Sequence, residues 1–215
     1  VTYLLIALLV VLVVPLLTSS WRISLTGLGL QGLLMTAMVS HRGWPDTAGG
    51  AVLLVDLLVL RTWFVPRHLV AIMRAHAPAA RTDVIPANLL SWTMAGAAVL
   101  LAFRFAGLVQ PGEGVAALQV AVATAGLLLG FLILATQAST FGQIVGVLRL
   151  EYAIALFELG AEHEAALPVQ LGLSVILLLS VLTLGSFLRR LGATAPTAPH
   201  EPHAPHAQHA PGGVR

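Results

Sequence analysis

About seven stretches of this chain are apolar on every face, and short polar or turn-forming segments separate them. A window of about 19 residues places the apolar runs at roughly 1–18, 23–40, 49–66, 86–108, 114–137, 141–161 and 168–189. The breaks are TSSWR (18–22), HRGWPDTAGG (41–50), RHLVAIMRAHAPAARTDVIP (67–86), VQPGEG (109–114), QAST (137–140) and AEHEAALP (161–168). Each break holds Gly, Pro or short polar side chains that end helices. Pro86 and Pro168 sit at expected helix starts, where a missing N–H is harmless, and Pro66 is expected to close the third run. In lipid, only helices or closed barrels satisfy the backbone. Long apolar runs without strict alternation predict an all-α, polytopic membrane helical bundle of about seven transmembrane helices over residues 1–190.

Composition strengthens that reading. The chain is 58% hydrophobic and 9% charged, with a mean hydropathy of +0.92, whereas a soluble domain carries about 25% charged residues. It has no cysteine, which excludes disulfides, Fe–S ligation and cysteine-based metal sites within the chain. No basic cluster with interleaved aromatics supports nucleic-acid binding. The first run, Val1 to Leu17, lacks a basic leading segment and a small-residue cleavage site, and is expected to be a retained first span.

Arginine placement sets the expected orientation. Numbering the loops alternately, one side gathers Arg22, Arg67, Arg74, Arg81, Arg189, Arg190 and Arg215, and the other holds Arg42 with Asp46, Glu113, Glu162 and Glu164. Positive charge concentrates on the cytoplasmic side, so the N-terminus is expected outside and the C-terminus in the cytoplasm, in a multi-pass protein of the cell (inner) membrane. From residue 191 onward the chain is rich in Pro, Ala and His and is expected to form a disordered cytoplasmic tail. His200, His203, His206 and His209 recur every three residues, a spacing that aligns them on one edge of a polyproline II helix. They could bind Zn²⁺ or Ni²⁺ weakly, or belong to a low-complexity solubilising tail.

The candidate chemistry lies in charges within apolar runs. Each such charge costs about 2.5–3.5 kcal/mol at a helix centre on insertion scales, so intramembrane ionisable groups mark functional sites. Glu151 sits at mid-span in the sixth run, and Glu158 lies two turns further on the same face, about 10.5 Å along the axis. Shielding from water favours the neutral carboxyl group, which lets such a pair act as a proton relay. The competing reading is that each is neutralised by a structural partner. Arg149, two residues before Glu151, points elsewhere on the helix and is expected to meet an acid or backbone carbonyls of a neighbour. In the third run Asp56 and Arg61 are five residues apart, which rotates them away from one another on an α-helix and makes direct pairing poor. Pairs Asp56–Arg149 and Arg61–Glu151 across the bundle are both geometrically open. Arg104 can snorkel as an anchor or lateral contact. Asp56 joins Glu151 and Glu158 as the expected relay, with Arg149, Arg61 and Arg104 tuning its charge.

The remaining polar residues add less. His163, in the AEHE loop, is read as a solvated histidine that could also collect protons, and His41, His68 and His76 lack ligand-like spacing. Trp21, Trp44, Trp63 and Trp92 are expected in interfacial aromatic belts. Gly27, Gly29 and Gly32, and the Gly142–Gly146 GxxxG, predict close helix packing. No nucleotide loop, catalytic triad or HExxH motif is present.

The stretch GQIVGVLRLEYAIALFELG (142–160) resembles the QxxGFLxxENGIxL segment of the hydrogenase-4 component E family, the small membrane subunit of formate-hydrogenlyase-type complexes. RTWFVPRHLV, with Arg61 five residues before Pro66, and IPANLLSWTMAGAAVLLAF (85–103) extend the likeness, which covers about residues 1–190. Residues 114–189 are also similar to the three-helix K subunit of respiratory complex I, with Glu151 in the place of that subunit's mid-membrane glutamate. The resemblance implies a non-redox, cofactor-free and non-catalytic subunit of an oxidoreductase complex. Its implied partners are antiporter-like subunits and a hydrogenase or quinone module. Three features depart from the pattern: Glu-Tyr-Ala at 151–153 in place of Glu-Asn-Gly, Arg61 in place of a lysine, and Ser174 and Ser180 but no carboxylate in the last span.

The expected function is therefore a share in proton or ion translocation, centred on Glu151. The alternatives are a purely structural subunit that anchors neighbours, the same role beside a non-hydrogenase module, and a stand-alone transporter. The last expects internal repeats and broken helices, which the sequence does not show.

Overall fold

The computed structural model describes residues 1–17, 20–43, 47–76, 89–112, 114–160 and 167–194, and these fold almost entirely as helices. In chain order they are α1 (Thr2–Leu17), α2 (Trp21–Arg42), α3 (Ala48–Val55), a π-helical segment (Asp56–Phe64), α4 (Val65–His76), α5 (Leu89–Val109), α6 (Val115–Thr136), α7 (Thr140–Gly160) and α8 (Leu167–Thr194). Six continuous helices among the described residues are long and apolar enough to cross a membrane, and α1 is a shorter apolar one. Local chemistry sets several starts. The Thr47 hydroxyl accepts the Gly50 N–H at 3.0 Å to cap α3, and the Ser139 hydroxyl accepts the Gly142 N–H at 3.1 Å at the start of α7.

The bundle has two ends. Tyr3 meets His41 edge-on, and Arg42 reaches the last turn of α7, so these share one end with the α5–α6 turn. Trp21 packs edge-on against Phe141 at the opposite end, with ring centroids 5.0 Å apart. Arg22, Arg67, Arg74, Arg189 and Arg190 all lie toward this Trp21 end. Leu5, Leu8, Leu12, Met35, Leu129 and Leu156 form one core cluster, and Trp21, Leu28, Val65, Leu69, Val145 and Leu177 form a second.

Glycine fixes how closely the elements approach. A Cβ on Gly32 would stand 2.9 Å from the Thr62 amide nitrogen and 3.0 Å from the Arg61 carbonyl carbon, so α2 rests directly on the π-segment backbone. Gly146 lies likewise against the backbone of Leu134, and Gly130 against Leu150, which draws α6 and α7 into a tight antiparallel pair. α5 and α8 pack less deeply and present Leu100, Leu101, Leu108, Ile176 and Leu179 outward, as lipid-facing helices do.

Three expectations change. Pro66 does not close the third run, because the helix continues through it to His76. α8 runs to Thr194, past the expected tail boundary at residue 191. Trp21 stands at a bundle end but is buried against Phe141 rather than facing outward, whereas Trp63 and Trp92 are exposed. Trp44, His163 and the histidines His200, His203, His206 and His209 lie outside the described residues.

Candidate functional site

The third helix changes register at Asp56. From there the bonding pattern is i→i+5: the Val65 N–H donates to the Leu60 carbonyl, and the Thr62 hydroxyl donates to the Leu57 carbonyl at 2.8 Å. π-Helical insertions are rare and concentrate at functional sites. On an α-helix, residues five apart are rotated by about 140°. The wider π turn brings them to one side, and Arg61 Nε donates to Asp56 Oδ2 at 2.7 Å. The poor intrahelical pairing expected from α-helical geometry is thus overturned, and so are both cross-bundle pairings. Both members of the ion pair are buried, and Asp56 Oδ1 has no hydrogen-bond partner among the described residues.

The same register explains why Pro66 is tolerated. Proline has no N–H to give. In the i→i+5 pattern that vacates the Arg61 carbonyl, and the Tyr152 hydroxyl of α7 donates to it at 2.5 Å. The Arg61 guanidinium lies 5.1 Å from the Tyr152 ring centroid, within cation–π range, and its Nη1 reaches the backbone carbonyl of Glu151 at 3.5 Å. Arg61 therefore touches Glu151 through the main chain and not through the carboxylate. Among the described residues, no ion pair or hydrogen bond holds the Glu151 side chain, which is half-buried.

Arg149 is almost wholly buried, with 1% of its surface exposed. Its Nη2 donates to the Ser24 carbonyl of α2 at 3.3 Å and lies against Gly27, where a Cβ would approach it to 3.4 Å. Pro15 of α1 packs at the same point. Toward the Arg42 end, Gln119 Nε2 of α6 donates to the Leu156 carbonyl at 3.1 Å, and Arg42 Nη2 donates to Gln119 Oε1 at 2.7 Å. Arg42 Nη1 also donates to the Leu159 carbonyl. A cation at the C-terminal turn of a helix offsets its macrodipole. Polar groups thus follow α7 from Arg149 to Leu159, a rise of about 15 Å.

Glu158 lies on the least buried stripe of α7 with Val147, Glu151 and Ile154, and Arg104 is exposed on α5. The structure therefore brings together Asp56, Arg61 and the main chain of Glu151. It turns Arg149 of α7 away toward α2 and leaves Arg104 exposed on α5. Tyr152, Gln119 and Arg42 join the network without having been singled out in the sequence. Tyr152 carried a signal, since a tyrosine at mid-span needs a partner for its hydroxyl. Gln31, at 0% exposure on α2, has neither side-chain polar atom hydrogen-bonded among the described residues.

Chemically, the cluster offers a fixed cation neutralised by one carboxylate beside a second carboxyl group that no described residue bonds. Such a carboxyl group is able to change its proton occupancy without breaking an ion pair. No group of three or more His, Asp or Glu suited to a metal occurs among the described residues. No protein-family model, curated protein or solved structure matches the chain.

Proposed function

We propose that this chain is a non-redox membrane subunit of a complex-I-like or group 4 hydrogenase-type assembly, in which Glu151 is the proton-exchanging centre of its buried charges. The observation that carries this reading is the arrangement around Arg61. The guanidinium is committed to Asp56 and the Tyr152 ring and reaches only the backbone of Glu151, so the Glu151 carboxyl group stays unclamped beside a fixed charge. Redox chemistry elsewhere in the assembly would shift its protonation through charge coupling. The multi-pass location in the cell membrane, with the arginine-rich Trp21 end in the cytoplasm, belongs to the same proposal and rests on the bias of positive charge toward the inside.

The test is Glu151→Gln in the intact assembly. Proton translocation is expected to fall while redox turnover persists, and unchanged translocation would remove Glu151 from the path.

One observation favours a second, structural reading. Arg42, Gln119, Arg61 and Arg149 all donate to main-chain carbonyls of neighbouring helices, as fasteners would. In that case Glu151→Gln and Arg149→Ala would disrupt assembly on a native gel rather than uncouple translocation from turnover.

A further inference from the structure

We propose that two copies of this chain meet through α5 of one and the outward stripe of α7 of the next, with Arg104 of the first copy paired to Glu158 of the second. The exposed apolar side chains of α5 and α8 need only lipid. Charged side chains on an outward face near a helix end either reach toward water or take a partner of opposite charge. Arg104 lies on the face of α5 away from the inward Ala102 and Ala106, and is exposed. Glu158 is half-buried on the stripe that includes Val147 and Ile154. Among the described residues neither side chain makes a hydrogen bond or an ion pair.

Their depths agree. Gly126 against Ala153, Gly130 against Leu150 and Gly146 against Leu134 fix the α6–α7 register, and they set Glu158 level with Ala121 or Val122. α5 ends at Val109 and the antiparallel α6 packed on it starts at Val115, which sets Arg104 about level with Val120. The offset is one or two residues, at most about 3 Å along the axis. α5 and α7 run in the same direction on either side of α6, so each side chain leans the same way along the bundle and the levels are kept. A Cβ on Gly107, one turn beyond Arg104, would meet nothing within 4 Å, which leaves room for an approaching helix. The two surfaces differ, so the contact is head-to-tail and closes into a ring when the rotation permits. This contact goes beyond the proposed function and does not depend on the redox partner.

The chain has no cysteine, so introduced thiols report the contact directly. Full-length chains carrying Arg104→Cys and, under a second tag, Glu158→Cys are co-expressed in membranes and treated with a short thiol-to-thiol cross-linker. The mixed pair is expected to give at least about tenfold more dimer than either variant alone. In the cysteine-free chain, Arg104→Glu is expected to lower recovery of a second tagged copy by at least about tenfold, because like charges then face one another, and adding Glu158→Arg restores it. A mixed pair that does not cross-link, a charge swap that restores nothing, or Glu158→Cys joined only to a different protein overturns the proposal.

Discussion

Arg61 gives its carbonyl to the Tyr152 hydroxyl and lays its guanidinium over the Tyr152 ring, which ties the π segment to α7 twice, while its Nε holds Asp56 within the segment. Removing either partner leaves a buried group unsatisfied. Tyr152→Phe keeps the ring but leaves the Arg61 carbonyl without a donor, at an expected cost of about 1–3 kcal/mol. Asp56→Ala leaves a buried guanidinium without its carboxylate and is expected to cost more, about 3–5 kcal/mol. Thermal unfolding in detergent checks both, and either variant proving as stable as the parent protein would contradict the pairing. At this scale the sequence revealed the charges but not their partners. Asp56, Arg61, Arg149 and Glu151 stand out because ionisable groups are rare in apolar runs, yet hydrophobicity says nothing of which way each one points. Tyr152 at mid-span signals a hydroxyl in need of a partner, but that the partner is the Arg61 carbonyl follows only from the π register at Pro66.

The π segment and the glycine face of α2 depend on one another. Gly32 admits the backbone of Arg61 and Thr62 at a distance that no side chain allows. Gly32→Ala is expected to push α2 away and lower stability by about 1–3 kcal/mol. Gly96→Ala on α5, where a Cβ would meet nothing within 4 Å, is expected to be neutral or to raise stability by up to about 1 kcal/mol. The same unfolding assay separates these outcomes. The extra backbone residue of the π register can be tested by deletion. Val59 is exposed and lies between Asp56 and Arg61, so deleting it leaves a spacing of four, which an α-helix accommodates. That variant is expected to stay folded and to keep the ion pair, whereas deletion of Val52 in α3 rotates the preceding turns by about 100° and is expected to disrupt packing. Helix positions were legible because apolar length encodes them. The continuation through Pro66 was not, since the rule that proline ends a helix presumes α-helical hydrogen bonding, and a π register changes which carbonyl the proline vacates.

For the whole molecule, the described helices assemble into a bundle with polar groups running along α7 and two outward charges at similar depth on its flanks. The all-helical, apolar character was plain from the pattern of runs and breaks. The internal network was not, because it depends on carbonyls of α2 and α7 that any sequence supplies. Under the proposed function Glu151, unlike the ion-paired Asp56, gains and loses a proton as the assembly turns over. Infrared difference spectroscopy of the intact assembly across redox turnover measures this directly. The expected result is a carboxyl band that changes on turnover, shifts in heavy water and vanishes in Glu151→Gln. A turnover spectrum identical in the parent protein and Glu151→Gln would contradict it.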